Sequence, residues 1–259
     1  MSRPSPDVRA LLDLAKAAAG RAARRLAGPG RGRLKAHRFS RVDAREIKAE
    51  ADRVLDRDIL GVLRRSGVPV LSEESGRSAG WSEAGRRFIV DPLDGTFNLV
   101  RDLGPSAVSI ALWDGARPVF GVIHRLDDGT TAWGGPGLGA FVDRRKISVS
   151  DTKELSKAAL CTGFPARLDV DDPEERAGFW RLTAPFAKVR MLGAAAISLL
   201  QVAAGRADAY AEREIMIWDV AAGIALVEGA GGKVSMEPGS KTDSLHVRAW
   251  NGRLSWPRS

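Results

Sequence analysis

Two aspartates three residues apart sit in the stretch Asp91-Pro92-Leu93-Asp94-Gly95-Thr96, directly after the apolar run Phe88-Ile89-Val90. Proline cannot donate to a sheet ladder, so the strand is expected to stop at Asp91. A tight turn would follow, with Gly95 supplying backbone freedom, and would aim both carboxylates and a carbonyl between them at one point. Oxygen ligands of that kind suit a hard cation such as Mg²⁺. The N–H groups of Gly95 and Thr96, at the first turn of a short helix, offer a seat for a phosphate. The bland alternative is an Asp-Pro surface turn with a chance second acid. Acids recur at two other element ends: Glu73 and Glu74 after the expected strand Val68 to Leu71, and Asp219 beside Trp218 at a helix start. Active sites of α/β proteins gather at such ends. A carboxylate at a packed helix start either caps the helix or faces a cation, and Asp219 leaves both open.

The elements that must position these acids alternate in texture. Ser5-Pro6-Asp7 reads as a helix start with Ser5 as N-cap and Pro6 at the first helical position, and an apolar face from Leu11 to Leu26 continues it until Gly28-Pro29-Gly30. Residues 30 to 45 read as a loop and Glu46 to Arg65 as a second helix, closed by Ser66-Gly67. Residues 76 to 86 read as another loop. Ala107 to Trp113 and Pro118 to His124 flank Asp114-Gly115, a hairpin signal. Gly135-Pro136-Gly137-Leu138-Gly139-Ala140 fits a dinucleotide fingerprint in letters, but strand-forming residues follow it, so a glycine-rich hairpin is expected. Beyond Ser150, strands and helices alternate: strands near 158–162, 188–191, 207–211, 233–236 and 245–250, and helices near 173–185, 194–204 and 217–229.

Composition bounds the class. The chain has 259 residues, 44% apolar and 28% charged, as in a soluble globular protein. The net charge of +8 comes largely from N-terminal arginines, among them Arg21, Arg24 and Arg25, which read as a solvated face. The single cysteine, Cys161, excludes an intramolecular disulfide. With no apolar run of membrane-span length and no signal-peptide h-region, a cytoplasmic protein is expected. The histidines lack metal-ligand spacing. Leu93-Asp94-Gly95-Thr96 also looks like the end of the haloacid-dehalogenase phosphatase motif, but Pro92 stands where that family's nucleophilic aspartate would be.

Taken together, Ser72-Glu73-Glu74-Ser75, Asp91-Pro92-Leu93-Asp94-Gly95-Thr96 and Trp218-Asp219-Val220-Ala221-Ala222-Gly223 resemble the inositol monophosphatase family in order and separation, over residues 8 to 252. The resemblance implies Glu73, Asp91 and the Leu93 carbonyl as ligands of a first Mg²⁺, and Asp91, Asp94 and Asp219 as ligands of a second. Thr96, paired with Asp52, would orient and deprotonate the attacking water, and no phosphoenzyme would form. Gly95 and Thr96 would bind phosphate oxygens; Gly193, Ala195 and Glu212 would contact the alcohol half of the substrate. Departures from the family pattern are Ala49 where Thr is usual, Phe97 where Thr, Ser or Lys is common, and the charged pair Arg213-Glu214 beside the expected specificity wall.

The expected fold is α/β, a layered αβαβα sandwich, with an α+β N-terminal half (1–145) carrying most metal ligands and an α/β C-terminal half (146–259) carrying Asp219 and the substrate wall. The expected function is Mg²⁺-dependent hydrolysis of a small phosphate monoester of the inositol monophosphate class, by a homodimer. Rival substrates are 3′-phosphoadenosine 5′-phosphate, fructose 1,6-bisphosphate and histidinol phosphate. A rival of another class is an RNA- or ribosome-associated binding protein, against which the complete acid set argues; neither nucleic acid nor membrane is an expected partner.

Overall fold

The computed structural model describes residues 7–27, 41–164 and 171–256, of which 27 and 41–50 are described as backbone only. Among them the chain stacks five layers, the αβαβα sandwich expected: a helix pair, a sheet, a second helix pair, a second sheet and an outer helix.

The first layer is α1 (Val8–Ala27) and α2 (Arg41–Leu63). Leu11, Leu12, Ala15, Ala18, Ala19, Ala22 and Leu26 recur at helical spacing and bury one face of α1 against Leu55, Ile59 and Leu63 of α2. Ser5 and Pro6 lie outside the described residues, and the cap falls to Asp7, whose carboxylate accepts the Arg9 N–H at 3.3 Å. Residues 41–45, expected in a loop, are helical. Ala44 and Arg45 favour helix without adding to an apolar stripe, so the pattern does not announce them. Residues 30–40 of that expected loop lie outside the described ones.

The first sheet contains β1 (Val70–Ser72), β2 (Gly76–Arg77), β3 (Arg86–Asp94), β4 (Ala107–Asp114), β5 (Arg117–Arg125), β6 (Thr131–Gly135), β7 (Gly139–Val142) and β8 (Arg145–Ile147), in the order β2-β1-β3-β4-β5-β6-β7-β8. Only the β1–β3 pairing is parallel. The expected loop at 76–86 thus contains the short strand β2 and the start of β3. Both expected hairpins form: Asp114 pairs with Arg117, and Gly135 with Gly139 closes the glycine-rich one. Strand alternation sends Phe88, Val90, Val108, Ile110, Leu112, Phe120 and Val122 toward α1 and α2.

The strand expected to stop at Asp91 continues to Asp94. Asp91 pairs with Ser109 and Asp94 with Ala107, so three steps along β3 match two along β4. This is a bulge, and Pro92 falls inside it, where a missing N–H removes no ladder bond.

The second sheet has β9 (Ala159–Thr162), β10 (Lys188–Arg190), β11 (Ala209–Met216), β12 (Lys233–Pro238) and β13 (Ser244–Trp250), in the order β10-β9-β11-β13-β12. Between the sheets lie α5 (Ala195–Ala203) and α6 (Ile217–Gly229), both buried almost all round. The outer helix, α4 (Pro173–Thr183), is capped by Asp172, whose carboxylate accepts the Glu174 N–H at 2.8 Å. A short helix, α3 (Thr96–Arg101), follows the β3 bulge.

The first sheet presents small residues to α6: Ala107, Ser109, Ala111 and Gly121. A Cβ on Gly121 would stand 2.2 Å from the Ala222 carbonyl oxygen and 2.7 Å from its carbonyl carbon and Cα. Backbone cannot swing aside as a side chain can, so α6, and Asp219 with it, would have to back away. Gly121→Ala should therefore cost about 1–3 kcal/mol. For a chain of this size that is a fall in Tm of roughly 2–4 °C for each kcal/mol. Thermal unfolding in chelator checks it; an unchanged Tm would show that the helix yields without cost.

Candidate metal centre and active site

The β3 bulge folds back on itself. The Asp91 carboxylate accepts the Leu93 N–H at 2.8 Å, and the Leu93 carbonyl accepts the Thr96 hydroxyl at 2.8 Å. Since a carbonyl can only accept, the Thr96 proton points at Leu93 and its oxygen lone pairs remain available to a water. Gly95 stands at φ +78°, and a Cβ there would lie 2.9 Å from the Pro105 carbonyl oxygen and 3.0 Å from the Ala194 Cβ. Glycine alone meets both conditions.

Three elements deliver acids to one place. Glu73 follows β1, tethered by its N–H to the Val90 carbonyl at 3.1 Å. Asp91 comes from β3 and is buried. Asp219 comes from the first turn of α6, where it accepts the Met216 N–H. One carboxylate oxygen from each of Glu73, Asp91 and Asp219 lies within 4.8 Å of the other two. Asp219 reaches back to the backbone of the N-cap residue, as the capping reading expects, and it also joins an acid cluster.

Asp94 has a second task. Its two carboxylate oxygens accept the N–H groups of Ala195 (3.1 Å) and Ala196 (2.9 Å), at the start of α5. Those bonds lower its pKa, yet burial is the larger effect and pushes the pKa up to about 7. Asp91 is pushed well above the carboxylate range, by burial first and then by Glu73, Asp219 and Asp94. Asp219 rises for the same reasons: burial, then Asp94, Glu73 and Glu212. The neighbours acting on these acids are carboxylates and backbone N–H groups. Buried like charges sharing oxygen donors fit a hard divalent cation, and Glu73, Asp91 and Asp219 could hold one.

Asp52 is buried, at 4% exposure, on α2, a helix that packs on β3 and α3. Gly193 stands at φ +68°, where a Cβ would meet the Asn98 side-chain oxygen at 3.0 Å. Ala195 contributes the N–H that Asp94 accepts. Glu212, on β11, accepts the Tyr210 hydroxyl at 2.9 Å and the Gly163 N–H, and burial raises its pKa. With Asp219 it lines one end of a groove of about 1900 Å³.

Two residues without an assigned role in the sequence reading act here. Asn98 donates to the Pro105 carbonyl at 2.9 Å and the Leu192 carbonyl at 2.7 Å, stapling the Gly193 turn to α3. Asp56, at 2% exposure, accepts the hydroxyl of Ser72 at 2.5 Å and that of Ser75, on either side of Glu73. Apolar periodicity is blind to both, because their partners are distant in sequence.

Arg213 and Glu214 line the same groove as Glu212 and Asp219, but their side chains are engaged with other partners. Val247, the β13 partner of Glu212, lies in the same core as Tyr210, so the neighbouring His246 faces the opposite side of the sheet. Arg213 donates to that His246 at 3.2 Å, and His246 pairs with Glu214 at 3.0 Å. Glu214 also accepts from Ser240 and Ser244, which hold it down to about 2.

With this geometry in view, comparison with known proteins is decisive. The model of the inositol monophosphatase family matches residues 5–254. The chain belongs to that family. It is 38% identical to an inositol-1-monophosphatase of Synechocystis sp. over 219 residues, covering 82% of this chain and 75% of the relative. It is 36% identical to a protein of Pseudomonas aeruginosa named Nus factor SuhB, over 81% of this chain and 80% of that one. The solved inositol monophosphatase from Anabaena (Nostoc) sp. superposes with a TM-score of 0.80 at 35% identity, over 96% of this chain and 93% of that one. As a member, the protein is a phosphatase of small phosphorylated substrates in a metal-dependent family. No helix among the described residues is long and apolar enough to cross a membrane.

The clustered acids set a pH dependence for the metal-free protein. Their folded pKa values lie above the unfolded aspartate value of about 3.9. The folded state therefore binds more protons than the unfolded one above that pH, and stability falls as pH rises. For Asp94 the loss is complete near its folded value of about 7; for Asp91 and Asp219 it continues higher. In chelator, Tm should fall between pH 5 and 8, a range set by these shifts and given as roughly that window. Asp219→Asn, which removes one of the crowded charges, should flatten the fall and raise Tm at pH 8. Scans of both proteins across pH would decide it; a lower Tm for the variant at pH 8 would show that its charge stabilises the fold.

Proposed function

We propose that the protein hydrolyses a small phosphate monoester of the inositol monophosphate class, using two Mg²⁺ ions and a directly attacking water. The observation that carries this reading is the convergence of Glu73, Asp91 and Asp219 within 4.8 Å from three separate elements. Glu73, Asp91 and the Leu93 carbonyl would hold one ion; Asp91, Asp94 and Asp219 would hold the second. When bound, such ions supply Lewis acidity to the phosphate and to the attacking water.

The chain's own residues supply orientation and proton transfer. The Gly95 and Thr96 N–H groups stand at the start of α3, where phosphate oxygens would be received. The Thr96 oxygen, with its own proton on Leu93, accepts a hydrogen bond from the water and so turns a lone pair of that water toward phosphorus. Passing a proton onward to Asp52 requires the Thr96 hydroxyl to turn from the Leu93 carbonyl. As the water oxygen bonds to phosphorus, the bond from phosphorus to the ester oxygen breaks, and that oxygen takes a proton from solvent to leave as the alcohol. Gly193, Ala195 and Glu212 receive that alcohol. Glu212 is a hydrogen-bond acceptor held by Tyr210 and Gly163, suited to hydroxyl groups of a polyol.

A nucleic-acid-binding reading would draw on the N-terminal arginines. Two of them, Arg21 and Arg25, are engaged with Asp58 at 3.3 and 2.9 Å, which supports a structural use for that part of the run.

Turnover should vanish in excess chelator and return with Mg²⁺. Asp219→Asn should raise the Mg²⁺ concentration needed for half-maximal activity. Asp52→Asn should instead lower kcat, by roughly 10²–10⁴-fold if it acts as the base, with Mg²⁺ affinity nearly unchanged. Calorimetric titration beside kcat separates the two; if Asp52→Asn weakens Mg²⁺ binding as Asp219→Asn does, Asp52 belongs to the metal site.

Glu212→Gln should reorder a panel of sugar and polyol phosphates while sparing a generic aryl phosphate, because the groups that hold phosphate are blind to the alcohol. Equal losses on every substrate would move Glu212 into the chemistry.

A further inference from the structure

Among its described side chains helix α2 carries three buried carboxylates: Asp52 is used by the mechanism above, Asp58 pairs with Arg21 and Arg25, and Asp56 remains. Asp56 sits beneath the turn that bears Glu73. It is 2% exposed, and its two oxygens accept one hydroxyl each, Oδ1 from Ser72 at 2.5 Å and Oδ2 from Ser75. Ser72 ends β1, whereas Ser75 is solvent-exposed at the far side of the turn. The carboxylate therefore pins both ends of a four-residue turn in which Glu73, itself exposed, is the residue that must face Asp91 and Asp219.

We propose that Asp56 is a positioning residue that sets cation affinity through Glu73. This rests on the metal reading given above. The physical argument is one of entropy and charge. Glu73 is the cluster's exposed member, on a turn rather than inside a strand or helix, and a free turn would let its carboxylate leave a cluster that repels it. The Glu73 N–H bond to Val90 fixes the start of the turn, and Ser75 bonded to Asp56 fixes its end. A carboxylate suits this task because each oxygen accepts from a separate hydroxyl. Its charge is stabilised by those two donors, which are strong because the acceptor is ionised. An amide offers one good acceptor and two donors, so an asparagine would release one end of the turn.

The test uses the full chain and Mg²⁺ alone. Asp56→Asn should weaken calorimetric Mg²⁺ binding by roughly 10–100-fold, the range seen when a group supporting a metal ligand is lost. Turnover at saturating Mg²⁺ should fall far less than affinity does. Ser75→Ala, which removes one hydroxyl from an exposed position, should weaken binding in the same direction without lowering Tm in chelator. It keeps the proposal testable if Asp56→Asn fails to fold. On a Glu73→Gln background, Asp56→Asn should cause no further loss of Mg²⁺ affinity, because the ligand it positions is already gone. Losses that add, or unchanged affinity in both Asp56→Asn and Ser75→Ala while Glu73→Gln weakens it, would overturn the proposal and leave the metal reading intact. Absence of Mg²⁺ binding by the unaltered protein would overturn both.

Discussion

The arrangement of the middle of this molecule follows from one electrostatic constraint: acids that repel one another are held together, with Asp91 and Asp94 out of water. Glu73 and Asp219 reach the same place. Burial and mutual repulsion both disfavour the charged forms. Compensation comes from fixed dipoles. Leu93 N–H serves Asp91, Ala195 and Ala196 N–H serve Asp94, and Met216 N–H serves Asp219. Two of those three sources are helix starts, where backbone donors are otherwise unpartnered and the helix dipole favours negative charge. The acids in turn satisfy the helices, so α5 and α6 are aimed at the centre by the same bonds that make it tolerable. What remains uncompensated is the repulsion, and a cation can remove it.

This explains why α6 is packed so closely. Asp219 is useful only if the start of α6 lies against the ends of β1 and β3. Small residues at Ala107, Ser109, Ala111 and Gly121 let the helix backbone approach the sheet, and Gly223 admits Leu199 of α5 on another side. Leucines at those sheet positions would bury more apolar area but would lift the helix and carry Asp219 out of range. Apolar gain is given up on that face for position, while the opposite face, with Phe88, Val90, Ile110 and Phe120 against α1 and α2, keeps its large side chains.

The three acid-bearing blocks were legible in the sequence because each combines an apolar run with a chain-breaking or capping residue, and the α6 boundaries at Ile217 and Gly229 were legible for the same reason. Both hairpins were legible from glycine placement. What stayed hidden depends on partners far along the chain. That β3 would run through Pro92 follows from β4 opposite it, not from Pro92 itself. Asp94 looked like a ligand alone, because the helix start it caps lies about a hundred residues on, at Ala195. Asn98 and Asp56 had no role in sequence, because their partners Leu192 and Ser72 are brought beside them only by the fold. Arg213 and Glu214 do line the groove, but their engagement with His246 was hidden. Alternation turns Arg213 from the face of Glu212, and the bulge between Glu212 and Ile215, where Glu214 stands at φ 56°, turns Glu214 as well.

The two ends of the site are anchored in different layers, which bears on how one fold can serve several phosphate esters. The phosphate end is built from β1, β3 and α6, and every residue there answers to the charge constraint. On the function proposed above, the alcohol end would be built from the Gly193 turn and from Glu212, whose supports, Tyr210 and Gly163, belong to the second sheet and the loop after β9. The Gly193 turn is hung on Asn98 by a side-chain bond to a backbone carbonyl, a connection that holds position without fixing the identity of the residues it carries. Changes along β11 or after β9 can therefore alter what the pocket accepts while leaving the repelling acids and their dipoles in place. The reverse does not hold: any change that moves Asp94 also moves the start of α5, and with it Ala195 on the alcohol side. Coupling between the two ends also runs through charge, because Glu212 is one of the carboxylates that act on Asp94 and Asp219.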